Sequence, residues 1–188
     1  MKKSSLNAKK IVLVGLMAAL TVASSALRIP VPVDITGTAA FHLGNIMCAL
    51  SGILLGPWLG GLAAGLGSAI YDILNPAYIS ECWLTFLMKG AYGLAAGAVA
   101  WGGKKSWGYG KALAATITGA VTYAVLYLLK SYFYSGRLLH GLTAEAAWIS
   151  VLGKLPATCF NAAVAIVAAP LLAIAIRTAL EKNRLSLE

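Results

Sequence analysis

A succession of long apolar runs, almost free of charge and each closed by a turn signal, constrains this chain more than anything else in it. The runs cover residues 11–27, 42–55, 58–74, 82–101, 112–134 and 144–176. A bilayer core asks for roughly 20 apolar residues per spanning helix, and uninterrupted runs of this kind are the membrane-span signal. Only 11% of the 188 residues are charged, against roughly 25% in an average soluble domain. The chain therefore lacks the polar surface to face water all round. The expected fold is all-α and integral to the membrane, with six transmembrane helices in one domain.

The breaks between runs have local causes. Pro30 and Pro32 stop the first run, because proline removes a helical N–H and disfavours helix in the residue before it. Residues 28–41 are read as a loop. Gly56-Pro57 is a turn signal, so the second and third runs form a tight helical hairpin. Asn75-Pro76 ends the third run, the Gly- and Lys-rich stretch 102–111 ends the fourth, and the polar stretch 135–143 ends the fifth. The sixth run contains Pro156 and Pro170 and exceeds the length a bilayer needs, which predicts tilt, a kink or an interfacial first turn.

The net charge of +9 sits at segment ends and is not interleaved with aromatics, so it argues for the positive-inside rule and against nucleic acid. With a cytoplasmic N-terminus, the inner side holds Lys2, Lys3, Lys9, Lys10, Lys104, Lys105, Lys111, Arg177, Lys182 and Arg184, ten of the fifteen basic residues. Both termini are then cytoplasmic. The basic stretch 1–10 precedes a poor cleavage site, so the first run reads as a retained helix rather than a signal peptide. Cys48, Cys82 and Cys159 are widely spaced and read as small packing residues.

Ionisable groups inside a bilayer cost at least about 2–3 kcal/mol each, so their positions carry information. They gather in the outer half: His42 and Asn45; then Ser68, Tyr71, Asp72 and Asn75; then Glu81, Thr85, Lys89 and Tyr92. Tyr123, Tyr127, Lys130 and Tyr134 share a face of the fifth run, and Trp148, Ser150, Lys154 and Asn161 descend the sixth. The inner halves are mostly Ala, Gly, Leu and Val. This asymmetry predicts a cup open to the outside, suited to a small, planar, polar ligand. The pocket candidates are Asn45, Asp72, Glu81, Lys89, Tyr127, Trp148, Lys154 and Asn161. Lys89 and Lys154 would donate to ligand oxygens, Asn45 and Asn161 would fix ring polar groups, and the aromatics would stack. Trp148 also fits an interface anchor, and Asp72, Glu81 and Lys89 also fit a structural ion network.

No metal site is expected, because His42 has no companions at ligand spacing, and no cofactor motif is present. There is no phosphate loop: Gly103 and Gly108 have the right gap, but Tyr109 stands where the lysine belongs. No nucleophile–base pair is visible. Asn75-Pro76-Ala77 matches one half of a water-channel signature that works only as a pair. Gly15, Ala19 and Ala23 recur every fourth residue, a spacing that lets backbones approach closely in lipid. That stripe serves either packing within the chain or docking of a partner protein.

Several pieces, in order, resemble the substrate-capture (S) components of energy-coupling factor (ECF) transporters, in the riboflavin/hydroxymethylpyrimidine-type branch. They are Leu16–Thr21, Arg28–Pro32, Leu43–Asn45, Leu54–Pro57, Gly60–Ser68 and Phe86–Gly90. The resemblance implies an S-component-like bundle with a ligand site near the outer face, closed by loops 28–41, 75–81 and 135–143. It implies that the Ala19/Ala23 stripe contacts a transmembrane coupling subunit driven by two ATPases, which agrees with the missing phosphate loop. It also implies a prokaryotic plasma membrane and a vitamin or precursor of pyrimidine, pyridine or flavin type. The related pattern often has Gly-Asp where this chain has Gly44-Asn45, so no riboflavin assignment follows from it. A reading from another class is a self-sufficient secondary transporter or membrane enzyme using Asp72, Glu81 and Lys89 as a proton-handling centre.

Overall fold

The computed structural model describes residues 8–34, 37–103 and 108–183, with the side chains of 32–38 excepted. Lys2, Lys3, Lys104, Lys105 and Arg184, half of the basic residues used above for orientation, lie outside that set. Helix α1 spans Ala8–Ala26 and leads into a hairpin of β1, Arg28–Asp34, and β2, Gly37–His42. Then come α2, Gly44–Ile73, a single 3₁₀ turn at Ile79–Glu81, and α3, Cys82–Trp101. Helix α4, Tyr109–Leu129, continues as a π-helical segment, Lys130–Leu139, before α5, Ala144–Lys182. Five of these helical stretches are long and apolar enough to cross a membrane.

The stretch 28–42 is not the irregular loop expected. Its prolines do exclude helix, but the strands pair antiparallel with Pro30 opposite Ala40 and Pro32 opposite Thr38. Both prolines fall on the same alternation of the ladder. In a two-stranded ribbon that side needs no donor, so proline is tolerated.

Helix α2 is interrupted as the turn signal predicts. Gly56 has φ 82° and ψ −179°, a conformation open essentially only to glycine, and Pro57 starts the next helical turn where its missing N–H is no loss. The two arms then run back along each other: Cys48 Sγ lies 3.8 Å from Ser68 Oγ. Trp101 covers the break and donates from Nε1 to the Ile53 carbonyl at 2.9 Å, satisfying an acceptor that the broken helix leaves free.

The fifth run continues past Tyr134, where the expected loop begins. The stretch 135–139 stays helical in wider turns, with the His140 N–H donating to the Ser135 carbonyl at 3.1 Å. Arg137 donates to the Leu142 carbonyl at 2.7 Å and closes the end. Helix α5 runs unbroken through Pro156 and Pro170 for 39 residues, about 58 Å at 1.5 Å per residue.

Small residues set the packing. A Cβ on Gly93 would stand 2.7 Å from the Gly60 carbonyl oxygen, and one on Gly61 2.9 Å from that of Gly90, so α3 rests directly on the second arm of α2. One end of the bundle is closed by Val14, Met17, Leu50, Ile53, Leu54, Ala63, Ala100, Ala112 and Ala173. Lys9, Lys10 and Lys111 lie at that end of α1 and α4. The β hairpin, the 3₁₀ turn and the π-helical segment sit at the other.

Candidate functional site

Where the core stops, a cavity of about 380 Å³ opens beneath the hairpin. Its wall is built from five elements at helical spacing: Ser68, Tyr71 and Asp72 from α2; Thr85, Met88 and Lys89 from α3; Tyr123 and Tyr127 from α4, with Lys130 just beyond; Lys154, Ala157 and Asn161 from α5. Arg28, Ala39, Ala40 and His42 of the hairpin close it, with Tyr78 and Glu81 before α3 and His140 after the π-helical segment. Each of the three loops expected to cover the site contributes.

Of the eight predicted residues, six line this cavity: Asp72, Glu81, Lys89, Tyr127, Lys154 and Asn161. Asn45 stands behind the wall, 2% exposed, and its Oδ1 accepts a hydrogen bond from Lys89 Nζ. Trp148 does not join them. It is 56% exposed and lies against Tyr132, ring centroids 5.1 Å apart, because residue 148 falls on the α5 face turned away from Lys154 and Asn161.

The polar groups are organised in pairs. Lys130 donates to Glu81 Oε2 at 2.5 Å and Ser135 to Oε1 at 3.2 Å, so Glu81 ties the 3₁₀ turn to the π-helical segment. Lys89 donates to Asn45 and lies 3.8 Å from the centroid of the Tyr123 ring, a cation–π contact. Asp72, Glu81 and Lys89 therefore share a wall, and among the described residues no direct ion pair joins Lys89 to either carboxylate. Tyr92, Tyr123 and Tyr127 stack in a column, with centroids 5.9 and 5.7 Å apart and planes tilted 26° and 22°.

Two roles differ from the residue-level expectation: Asn45 lies behind the wall and bonds Lys89 instead of facing the cavity, and Asn161 is taken up by the hairpin. Asn161 was expected to meet ligand polar groups, but both ends of its amide are engaged by the hairpin. The His42 N–H donates to Asn161 Oδ1 at 2.9 Å, and Asn161 Nδ2 donates to the Ala40 carbonyl at 2.8 Å. Asn161 thus supplies the open edge of β2 with the donor and acceptor of a missing strand.

Arg28 and His42 complete the wall and were not among the eight. Arg28 donates to the Tyr71 hydroxyl at 3.2 Å and the Tyr78 hydroxyl at 2.6 Å. Its guanidinium carbon lies 4.7 Å from the Tyr78 ring centroid. An arginine directly after an apolar helix and before two prolines looks like an interface residue in sequence, and only the hairpin turns it inward. The Gly44 N–H donates to His42 Nδ1 at 3.1 Å. Burial, followed by the positive charges of Lys89 and Arg28, pushes the His42 pKa down to about 3. The ring is neutral at physiological pH, with its hydrogen on Nε2, since Nδ1 accepts.

On α1, Gly15, Ala19 and Ala23 are exposed, while Val14, Met17, Ala18, Thr21, Ser24 and Ser25 face the bundle. Among the described residues, nothing covers that side of the helix.

The family model described as "ECF-type riboflavin transporter, S component" matches residues 5–178. Among curated proteins, a Pyrococcus woesei protein described as "Uncharacterized protein in gap 3'region" is 33% identical over 118 residues, 63% of this chain and 74% of that relative.

Proposed function

This chain belongs to the ECF-type riboflavin transporter S-component family, a multi-pass membrane transport family rather than an enzyme family, and on that footing we propose that it captures a water-soluble vitamin or precursor from outside a prokaryotic cell. The observation that carries the reading is the lopsided bundle. A polar cavity of about 380 Å³ lies at one end and tight apolar packing closes the other. A path through the membrane would need polar groups across its whole depth.

In this reading the two arms of α2 are counted separately, for six crossings, and the distribution of basic residues along the sequence favours cytoplasmic termini. Asp72, Glu81, Lys89, Tyr127 and Lys154 form the substrate wall together with Arg28 and His42. Asn45 positions Lys89, Asn161 holds the hairpin, and Trp148 anchors at the membrane interface. The tyrosine column suits a planar ring. The exposed stripe of Gly15, Ala19 and Ala23 docks on a transmembrane coupling subunit whose two ATPases supply the energy. The chain itself carries out no catalysis and needs no cofactor or metal.

Native mass spectrometry of the purified protein and uptake into proteoliposomes test this reading. The expected result is a bound small molecule in one-to-one ratio, with no uptake until the coupling subunit and ATPases are added. Uptake by the chain alone would favour the self-sufficient transporter, and accessibility of Lys104 from outside would reverse the orientation.

A further inference from the structure

The charges lining the cavity do not balance. Among the described residues, four cations, Arg28, Lys89, Lys130 and Lys154, face two carboxylates, Asp72 and Glu81. Glu81 is already neutralised by Lys130 at 2.5 Å. With Lys154 set aside, Arg28 and Lys89 remain against Asp72 alone.

Both of these cations have neutral partners and donors to spare. The partners of Lys89 are the Asn45 amide and the face of Tyr123. An ammonium has three N–H donors, which leaves one for the cavity it lines. Arg28 spends two of its five N–H donors on the Tyr71 and Tyr78 hydroxyls. Among the described residues neither has a carboxylate within salt-bridge distance, although Lys89 is only 5% exposed. Both line the cavity that His42 also lines, so they face one shared space. There His42 adds a neutral Nε2–H donor. A buried cation held by neutral groups is costly until an anion joins it.

Resting on the capture reading above, we infer that the substrate is an organic anion, a planar heteroaromatic bearing a carboxylate or phosphate that is received by Arg28 and Lys89. The ring lies against Tyr123 and Tyr127, and the oxyanion takes the spare N–H donors. Charge-assisted hydrogen bonds of this kind are the strong ones, and losing one costs about tenfold or more in affinity.

The test uses matched pairs differing in charge: nicotinate against nicotinamide, and flavin mononucleotide against riboflavin, titrated calorimetrically into the full chain in nanodiscs at neutral pH. The expected result is that the anion of at least one pair binds about tenfold or more tightly than its neutral twin. Lys89→Met and Arg28→Gln should narrow that ratio, weakening the anion by a larger factor than its neutral twin; an unchanged ratio in folded variants counts against these two cations as the receivers. Equal or tighter binding of the neutral twin in both pairs, or no binding of either anion, overturns the inference, and the unmodified protein gives that answer even if a variant does not fold. Tight binding of riboflavin without preference for its phosphate would remove the charge requirement and leave capture standing. Absence of any bound or binding small molecule would remove both.

Discussion

Replacing Asn161 tests most directly what holds the covering hairpin. In Asn161→Leu the branched shape and the heavy-atom count are kept, and the two bonds to β2 disappear: His42 N–H to Oδ1 at 2.9 Å and Nδ2–H to the Ala40 carbonyl at 2.8 Å. Each neutral hydrogen bond contributes about 1 kcal/mol net, and more where the abandoned backbone group stays away from water. Two such bonds amount to about 2 kcal/mol, or about a 30-fold larger population of hairpin detached from α5. The strands pair with each other independently of Asn161, so the ribbon should lift as a unit. Hydrogen exchange in nanodiscs reads this locally. The His42 amide should exchange about 30-fold faster, amides of α2 and α3 should be unchanged, and a bound ligand should dissociate faster by a similar factor. Asn161→Asp keeps size and shape and removes only the donor. One carboxylate oxygen can still accept from His42, while the other meets the Ala40 carbonyl with no donor between them, so protection should be intermediate. Unaltered exchange at His42 in Asn161→Leu would refute the latch and return Asn161 to the set of groups free to meet a ligand.

Other perturbations have equally definite outcomes. His42 is a base whose folded pKa of about 3 lies below its unfolded value near 6.5. The unfolded chain binds the extra proton between those values, so the stabilisation is complete above about pH 6.5 and is lost as pH falls towards 3. At pH 5 the loss is about 2 kcal/mol, read as a lower thermal midpoint than at pH 7, and His42→Gln should flatten that dependence. Glu81→Gln weakens the pair with Lys130 and should cost about 1–3 kcal/mol, with faster exchange in residues 79–81 and 130–139 and little change in α1. Gly93→Val forces side-chain carbon against the Gly60 carbonyl, 2.7 Å from the added Cβ, and should lower stability by about 1–3 kcal/mol; an unchanged thermal midpoint would show that α3 has room to move. Lys154→Ala should abolish ligand binding in a protein that still folds, and full retention of affinity would remove Lys154 from the wall.

The sequence alone determined the membrane, the number of apolar runs and the break at Gly56-Pro57, because hydrophobic run length, proline and glycine act locally. It also placed Asp72, Glu81, Lys89, Tyr127, Lys154 and Asn161 at one end of the bundle, since helical spacing projects such groups onto inward faces and polar groups in lipid must face protein. Only the tertiary structure decided who meets whom. Trp148 lies one face away from Lys154 on α5, a rotation set by packing against α4 and the π-helical segment. Arg28 turns inward because β1 pairs with β2, and Asn161 serves the hairpin because residues 119 and 121 positions earlier in the chain come to rest beside it. Such pairings are fixed by contacts between distant segments, and no local pattern of apolarity, turns or charge encodes them.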